Sequence, residues 1–157
     1  MRLQTATRIA IYAVLDLAAD PARQLSSAQI AGRFGVSGNH LSKVLRVLGR
    51  VGLVEALRGA GGGYRFRGNA KRLTLLDVIR LFEDVGPGGE PGEPAAATAE
   101  GHAVRRVLDE IDDTAQATLS SITVATMLKL VEAERRAGAP GRPAGRAAAR
   151  ALARVAG

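Results

Sequence analysis

The stretch SSAQIAGRFGVSGNHLSKVLRVLGR, residues 26–50, decides the fold because it predicts two short helices joined by a turn. Ser26 and Gln29 have the spacing of a capping box, which starts the first helix, and Gly35 ends it. Ser37 is the expected N-cap of a second helix. In that helix apolar residues recur every three or four positions, at Leu41, Val44, Leu45 and Leu48. This order is typical of a helix-turn-helix, and an ordinary helical hairpin is the alternative.

The second predicted helix is basic and polar on the side opposite its apolar residues. That side carries Asn39, His40, Ser42, Lys43, Arg46 and Arg50. The N-terminal part of such a helix is free to face a DNA major groove, although a solvated helix face would have the same pattern. Two interpretations of His40 stay open, contact with a base or phosphate and capping of the local backbone.

Two short strands are predicted next, LVEALR (53–58) and YRFR (64–67), with Tyr64 and Phe66 facing inward. The glycines between them then form the tip of a β-hairpin. A dinucleotide-binding loop is excluded, because Tyr64 occupies the place of its last glycine and a strand follows instead of a helix; the Gly-Lys-Ser/Thr of a Walker loop is also absent. We interpret the hairpin as a wing whose tip lies against phosphates or in a minor groove, with a flexible surface turn as the alternative.

Further helices are predicted on both sides of this unit. An amphipathic helix covers residues 3–19, and RLTLLDVIRLFED (72–84) starts a helix at Thr74, which has capping spacing to Asp77. Residues 85–101 form a Gly/Pro/Ala/Glu loop without periodicity, which is either disordered or a site that lacks its occupant.

The longest helical pattern covers residues 102–120 and has a regular apolar stripe on an acidic helix. We expect this stripe to pair with the same helix of a second copy, and packing onto its own domain is the alternative. The stripe consists of Val104, Val107, Leu108, Ile111, Ala115 and Leu119. Another short helix is expected from Thr123 to Gly138, followed by a basic, low-complexity tail at 137–157 that we expect to be disordered.

Charge and composition narrow the function. The chain has a net charge of +7, and residues 1–85 hold 13 Lys/Arg against 6 Asp/Glu, which suits a polyanionic partner. There is no cysteine, so thiolate metal sites and thiol nucleophiles are excluded, and two histidines are too few for a histidine-built zinc site. Without a signal peptide or a long apolar run, we expect a soluble, cytoplasmic protein with no membrane partner.

The order of these parts resembles the Rrf2 (Rrf-two) family of bacterial winged-helix regulators, which includes IscR, NsrR and CymR. The match is strong over residues 1–84 and looser over 102–130, and its most specific element is LRGAGGGY, residues 57–64. The resemblance implies a homodimer, held by the long helix, that binds a palindromic operator. It also implies DNA contacts from the second helix of the helix-turn-helix, which reads the major groove, and from the wing. The helix supplies Ser37, Asn39, His40, Ser42, Lys43 and Arg46; the wing supplies Arg58, Gly59, Gly61, Gly62, Gly63, Tyr64 and Arg65.

One departure from the family concerns its cofactor. Many members hold an iron–sulfur cluster on three cysteines in the loop before the dimer helix, whereas the corresponding loop here has alanines and glutamates. Iron–sulfur ligation depends on thiolates, so no cluster or other cofactor is expected. Three interpretations stay open: a cluster-free branch that senses a small molecule or protein effector, a constitutive DNA-binder, or alanines introduced in place of cysteines, such as Ala95, Ala97 or Ala103.

The sequence therefore predicts a mostly α-helical fold with a small β-hairpin, a winged helix-turn-helix domain and a long C-terminal dimerisation helix. The expected divisions are the DNA-binding domain at 1–84, the loop at 85–101, the dimerisation helix with the short following helix at 102–136, and the tail at 137–157. The predicted function is that of a homodimeric transcriptional repressor that binds double-stranded DNA. A winged-helix protein–protein adaptor is the alternative. No enzyme is expected, because no nucleophile–base pair, no paired carboxylates in a pocket and no metal ligand set are present.

Overall fold

The computed structural model describes residues 3–85 and 97–138. Within them the chain forms six helices and one antiparallel β-hairpin, which confirms the expected fold class. Most of residues 85–101 and of the tail at 137–157, including its four arginines, lie outside the described residues. The elements are α1 (Thr5–Ala18), α2 (Ser27–Phe34), α3 (Gly38–Arg50), β1 (Val54–Leu57), β2 (Gly63–Phe66), α4 (Leu75–Arg80), α5 (Ala99–Ser121) and α6 (Val124–Arg136).

Local capping explains where the short helices begin. Ser26 and Gln29 form the expected capping box at α2, and Thr74 and Asp77 form another at α4. Gly35 ends α2 in the left-handed conformation, with φ of 62°. Ser37 is the N-cap of α3 as predicted, but its side chain makes no capping hydrogen bond.

Helix α1 is the centre of the core. It packs against α3, α4, α6 and β2, and its inner face is buried. The apolar residues predicted to line the inner side of α3 are all buried in the same cluster, together with Ile30 of α2, Phe66 of β2 and Val124 of α6. Helices α2 and α3 and the β-hairpin are therefore held by one continuous core.

A buried ion pair joins α1 to α2. Asp16 has a side chain that is only 3% exposed, and the guanidinium of Arg33 donates a hydrogen bond to its Oδ1. Arg33 itself remains 44% exposed, so the pair lies at the edge of the core. Because a buried carboxylate needs a partner, this ion pair links α2 to α1 at the edge of the core.

The N-terminus of α1 is capped from a distant part of the chain. Its own N-cap residue, Gln4, makes no capping bond with its side chain. Instead, Glu83 accepts hydrogen bonds from the Gln4 backbone N–H at 2.7 Å and from the hydroxyl of Thr7, which is fully buried. The segment after α4 is thereby tied to the start of α1.

Helix α5 starts at Ala99, ahead of the expected start at residue 102. The reason is Thr98, whose hydroxyl accepts a hydrogen bond from the Gly101 N–H and begins the helix three residues earlier. At the other end, Leu75 N–H donates to Ile122 O (2.9 Å) and Val124 N–H donates to Leu73 O (2.8 Å). The α5–α6 junction is therefore bonded directly to the winged unit.

Candidate nucleic-acid interface

The outer side of α3 is polar, basic and open to solvent. The N-cap Ser37 and the five α3 residues that we predict to contact DNA are all exposed: Asn39, His40, Ser42, Lys43 and Arg46. The opposite side is held by Leu41 and Leu48, which are completely buried. A helix fixed in this way by its apolar side presents its polar side as a rigid surface.

Two of these residues also border a cavity beside the helix. His40 and Lys43 line it together with Val44, Val47, Thr5, Ala6 and Phe82, and its volume is about 230 Å³. The walls are almost wholly apolar. Lys43 therefore borders this apolar cavity and also belongs to the exposed polar side of α3.

The hairpin has the geometry expected of a wing. Val54 pairs with Phe66 and Leu57 pairs with Gly63, so the loop between the strands covers residues 58–62. Gly59 and Gly61 adopt positive φ values of 105° and 79°. Residues that carry a side chain rarely adopt positive φ values, so the turn itself requires glycine at these two positions.

Gly63 is required for a different reason, close approach to another segment. A Cβ atom on Gly63 would lie 2.5 Å from the carbonyl oxygen of Leu25. Leu25 and Tyr64 exchange two backbone hydrogen bonds, of 2.8 and 3.0 Å, beside this contact. The resemblance implies that bare glycines let the wing enter a groove; the structure adds that the hairpin needs them within its own fold.

The charged side chains of the wing are not equivalent. Arg65 donates a hydrogen bond to Glu55 Oε2 at 2.7 Å across the strands, and this bond holds the pKa of Glu55 below its ordinary value. Arg58 is exposed and has no hydrogen-bond or ion-pair partner among the described residues. Tyr64 is half-buried against the core, in line with its expected inward direction. Within the described part of the chain, Arg58 is therefore the wing cation left open to an anion from outside.

Sequence reasoning missed the segment that supports the wing. Gln24, just before α2, donates a side-chain hydrogen bond from Nε2 to the carbonyl oxygen of Gly61 at 2.6 Å. Gln24 and Gly61 are 37 residues apart in the chain. No local pattern such as capping spacing or periodicity signals this contact.

The predicted dimer face of α5 divides into two parts. Val104, Val107, Leu108 and Ile111 are exposed, with between 46% and 59% of their surface open. Ala115 and Leu119 are half-buried near the end that packs against α4, where Arg80 donates a hydrogen bond to Gln116 at 2.9 Å. Packing onto its own domain therefore accounts for only the C-terminal part of the stripe.

No group of three or more His, Cys, Asp or Glu side chains that could hold a metal ion occurs in residues 3–85 and 97–138. None of the helices in those ranges is long and apolar enough to cross a membrane.

Comparison with known proteins gives concordant matches. The model of the family described as "Rrf2: Iron-dependent Transcriptional regulator" matches residues 3–130. The chain is 50% identical over 137 residues to BadM of Rhodopseudomonas palustris, which carries the name of an HTH-type transcriptional regulator; the match covers 87% of this chain and 86% of BadM. It is 38% identical over 85 residues to the HTH-type transcriptional regulator NsrR of Bacillus subtilis, covering 54% of this chain and 58% of NsrR.

Solved structures agree with these matches. The fold is similar to that of CymR (YrzC), the global cysteine regulator of B. subtilis, with a TM-score of 0.69 and 26% identity over 83% of this chain and 98% of CymR. It is also similar to T. potens IscR, with a TM-score of 0.69 and 28% identity over 90% of this chain and 94% of IscR.

Proposed function

The chain belongs to the Rrf2 family of transcriptional regulators, and from that premise we propose that it is a homodimeric repressor that binds a palindromic operator without an iron–sulfur cluster. Its relatives are regulators of transcription, and it is not an enzyme. Because such a regulator works where the chromosome is, the proposal includes a cytoplasmic location.

The proposed DNA-binding surface is supported by two exposed basic elements, α3 and the wing, which pack on the same core. Lys43 and Arg46 are exposed on the outer side of α3, and Arg58 of the wing is exposed and forms no hydrogen bond or ion pair with any residue in 3–85 or 97–138. In winged helix-turn-helix proteins the helix reads base edges in the major groove, while wing cations suit phosphates or the negative minor groove. The proposal assigns these roles to α3 and to the wing.

The dimer is supported by the exposed apolar part of α5. Four large aliphatic side chains in one stripe, open to water, form the kind of surface that marks an interface. An interface between two identical helices has two-fold symmetry, so the two copies of α3 would read two half-sites of opposite direction. This symmetry is the reason for expecting a palindromic operator.

The proposed absence of an iron–sulfur cluster rests on which side chains the chain offers as iron ligands. Iron–sulfur clusters are held by thiolates, and the chain has no cysteine. We therefore expect regulation by a small-molecule or protein effector that changes the dimer geometry, with promoter occlusion as the repressing step. The hydrogen bonds that join the α5–α6 junction to residues 73–75 supply a rigid connection for that change.

The proposed function is tested by removing positive charges from the outer side of α3 and measuring the loss of DNA binding. We expect Lys43→Ala and Arg46→Ala each to weaken binding to the DNA upstream of the protein's own gene by about 1–3 kcal/mol, or about 5- to 150-fold, with relaxed specificity where a base contact is lost. Titration of a labelled duplex by fluorescence anisotropy measures the change.

Matched controls come from the exposed surface of the other helices. Lys129→Ala on α6 and Arg106→Ala on α5 each remove one positive charge outside the proposed DNA-binding surface and away from the apolar stripe of α5, and should change binding much less. Wild-type affinity in both α3 variants would refute the assignment. The adaptor alternative predicts an interaction that depends weakly on salt, whereas phosphate contacts make log K fall linearly with log salt concentration.

A further inference from the structure

The wing is a small element that needs support from outside itself. Its strands have four residues each, and the loop at 58–62 contains a single backbone hydrogen bond of its own, from Gly62 N–H to Gly59 O. An isolated two-stranded hairpin is only marginally stable in water. The direction of the tip must therefore be set by contacts with the rest of the domain.

Those contacts come from the segment between α1 and α2. Leu25 is buried and pairs with Tyr64 through two backbone hydrogen bonds, which form an isolated antiparallel bridge on the edge of β2 that does not pair with β1. Gln24 reaches one step further, to the carbonyl oxygen of Gly61 at the tip. Among the described residues, no other side chain forms a hydrogen bond with the loop at 58–62.

The same segment is continuous with the helix-turn-helix. Ser26, directly after Leu25, is the N-cap of α2 and accepts the Gln29 N–H, and α2 packs against α3. The wing tip and the recognition helix are thus held by one short stretch of chain, residues 24–26. Because this stretch holds both, it fixes the distance between the wing tip and α3, the two elements that would enter adjacent grooves of the DNA.

We propose that Gln24 is a positioning residue for DNA binding, which acts through the wing tip and not by contacting DNA itself. The inference rests on the proposed DNA-binding function. The bond to Gly61 holds the tip, and with it Arg58 at the start of the loop, in the orientation used on DNA. Ordering the loop before binding removes an entropy loss that a mobile wing would suffer on the complex.

The variant that tests this is Gln24→Met, which keeps the length of the side chain and removes its hydrogen-bond donor. Gln24 is exposed, so the domain should still fold, which thermal unfolding checks. Without DNA, we expect faster amide exchange and lower NMR order parameters at Gly59, Gly61 and Gly62 than in the wild type. With DNA, affinity should fall about 2- to 10-fold, the range carried by one hydrogen bond.

A double-mutant cycle separates positioning from direct contact. If Gln24 acts through the wing, Gln24→Met should cost little further affinity once Arg58→Ala has removed the wing cation. The salt dependence of Gln24→Met should also move toward that of Arg58→Ala, although no charge has been removed.

Two results would overturn the inference while leaving the proposed function intact. They are unchanged wing amides in Gln24→Met, and losses from Gln24→Met and Arg58→Ala that simply add. A wild-type protein that binds no duplex is a different result, since it removes the proposed function and the inference together.

Discussion

Ile111→Glu on α5 is expected to convert the protein from a dimer into a monomer. Ile111 is 57% exposed in the single chain and is the last of the four exposed apolar residues of α5, after Val104, Val107 and Leu108. In a symmetric interface the new carboxylate appears twice, each copy facing apolar groups without a partner. Analytical ultracentrifugation should give twice 16.3 kDa for the wild type and 16.3 kDa for the variant.

Operator binding should fall with the dimer. A dimer that holds two half-sites gains the second contact as an intramolecular event, and this gain is typically between 10²- and 10⁴-fold. We therefore expect the Ile111→Glu monomer to bind the upstream duplex at least about 100-fold more weakly than the wild type, with its winged unit still folded. Circular dichroism checks the folding.

A control variant with the same added charge separates disruption of the dimer interface from a general effect of the charge on α5. Ala117 is exposed on α5 and points away from the stripe, nine residues after Leu108 and so on the opposite side of the helix. Ala117→Glu should remain dimeric and bind DNA normally. A dimeric Ile111→Glu would show that α5 is not the dimer interface.

The second large effect concerns stability and the ion pair between α1 and α2. Arg33→Ala would leave the carboxylate of Asp16, only 3% exposed, without its cation. Breaking a buried pair in this way typically costs about 3–5 kcal/mol, and the lower end applies because Arg33 is 44% exposed. Urea unfolding followed by circular dichroism measures the change.

Two further variants separate the effect of breaking the ion pair from the effect of removing an arginine in general. Arg23→Ala removes an exposed arginine just before the wing support and should change the free energy of unfolding by less than about 0.5 kcal/mol. In an Asp16→Asn background, Arg33→Ala should cost much less than in the wild type, because no charge is left buried. Equal costs in both backgrounds would show that the ion pair does not hold α2.

The sequence predicts well those features that depend on neighbouring residues. The capping boxes at Ser26 and Thr74, the apolar side of α3 and the strands on either side of the glycine loop all follow from spacing over a few residues. The start of α5 is the exception. Thr98 caps this helix, but the alanine and glycine residues around it give no clear sign that a helix begins there.

Contacts between distant segments could not be predicted in the same way. Gln24 meets Gly61, Arg33 meets Asp16 and Glu83 meets Thr7, at separations of 37, 17 and 76 residues. None of these pairs has a characteristic local pattern, and each becomes visible only when the core places the elements side by side. For the same reason, the sequence could not show that Gly63 is needed against Leu25.

All of the proposed roles depend on this chain binding DNA as a sequence-specific dimer. That property is measured by titrating the purified protein against its own upstream DNA and a scrambled duplex of equal length, at two salt concentrations. We expect tight binding to the upstream duplex, protection of two symmetric half-sites, and affinity that falls steeply with salt for both duplexes. Absence of binding to either duplex at low salt would contradict it.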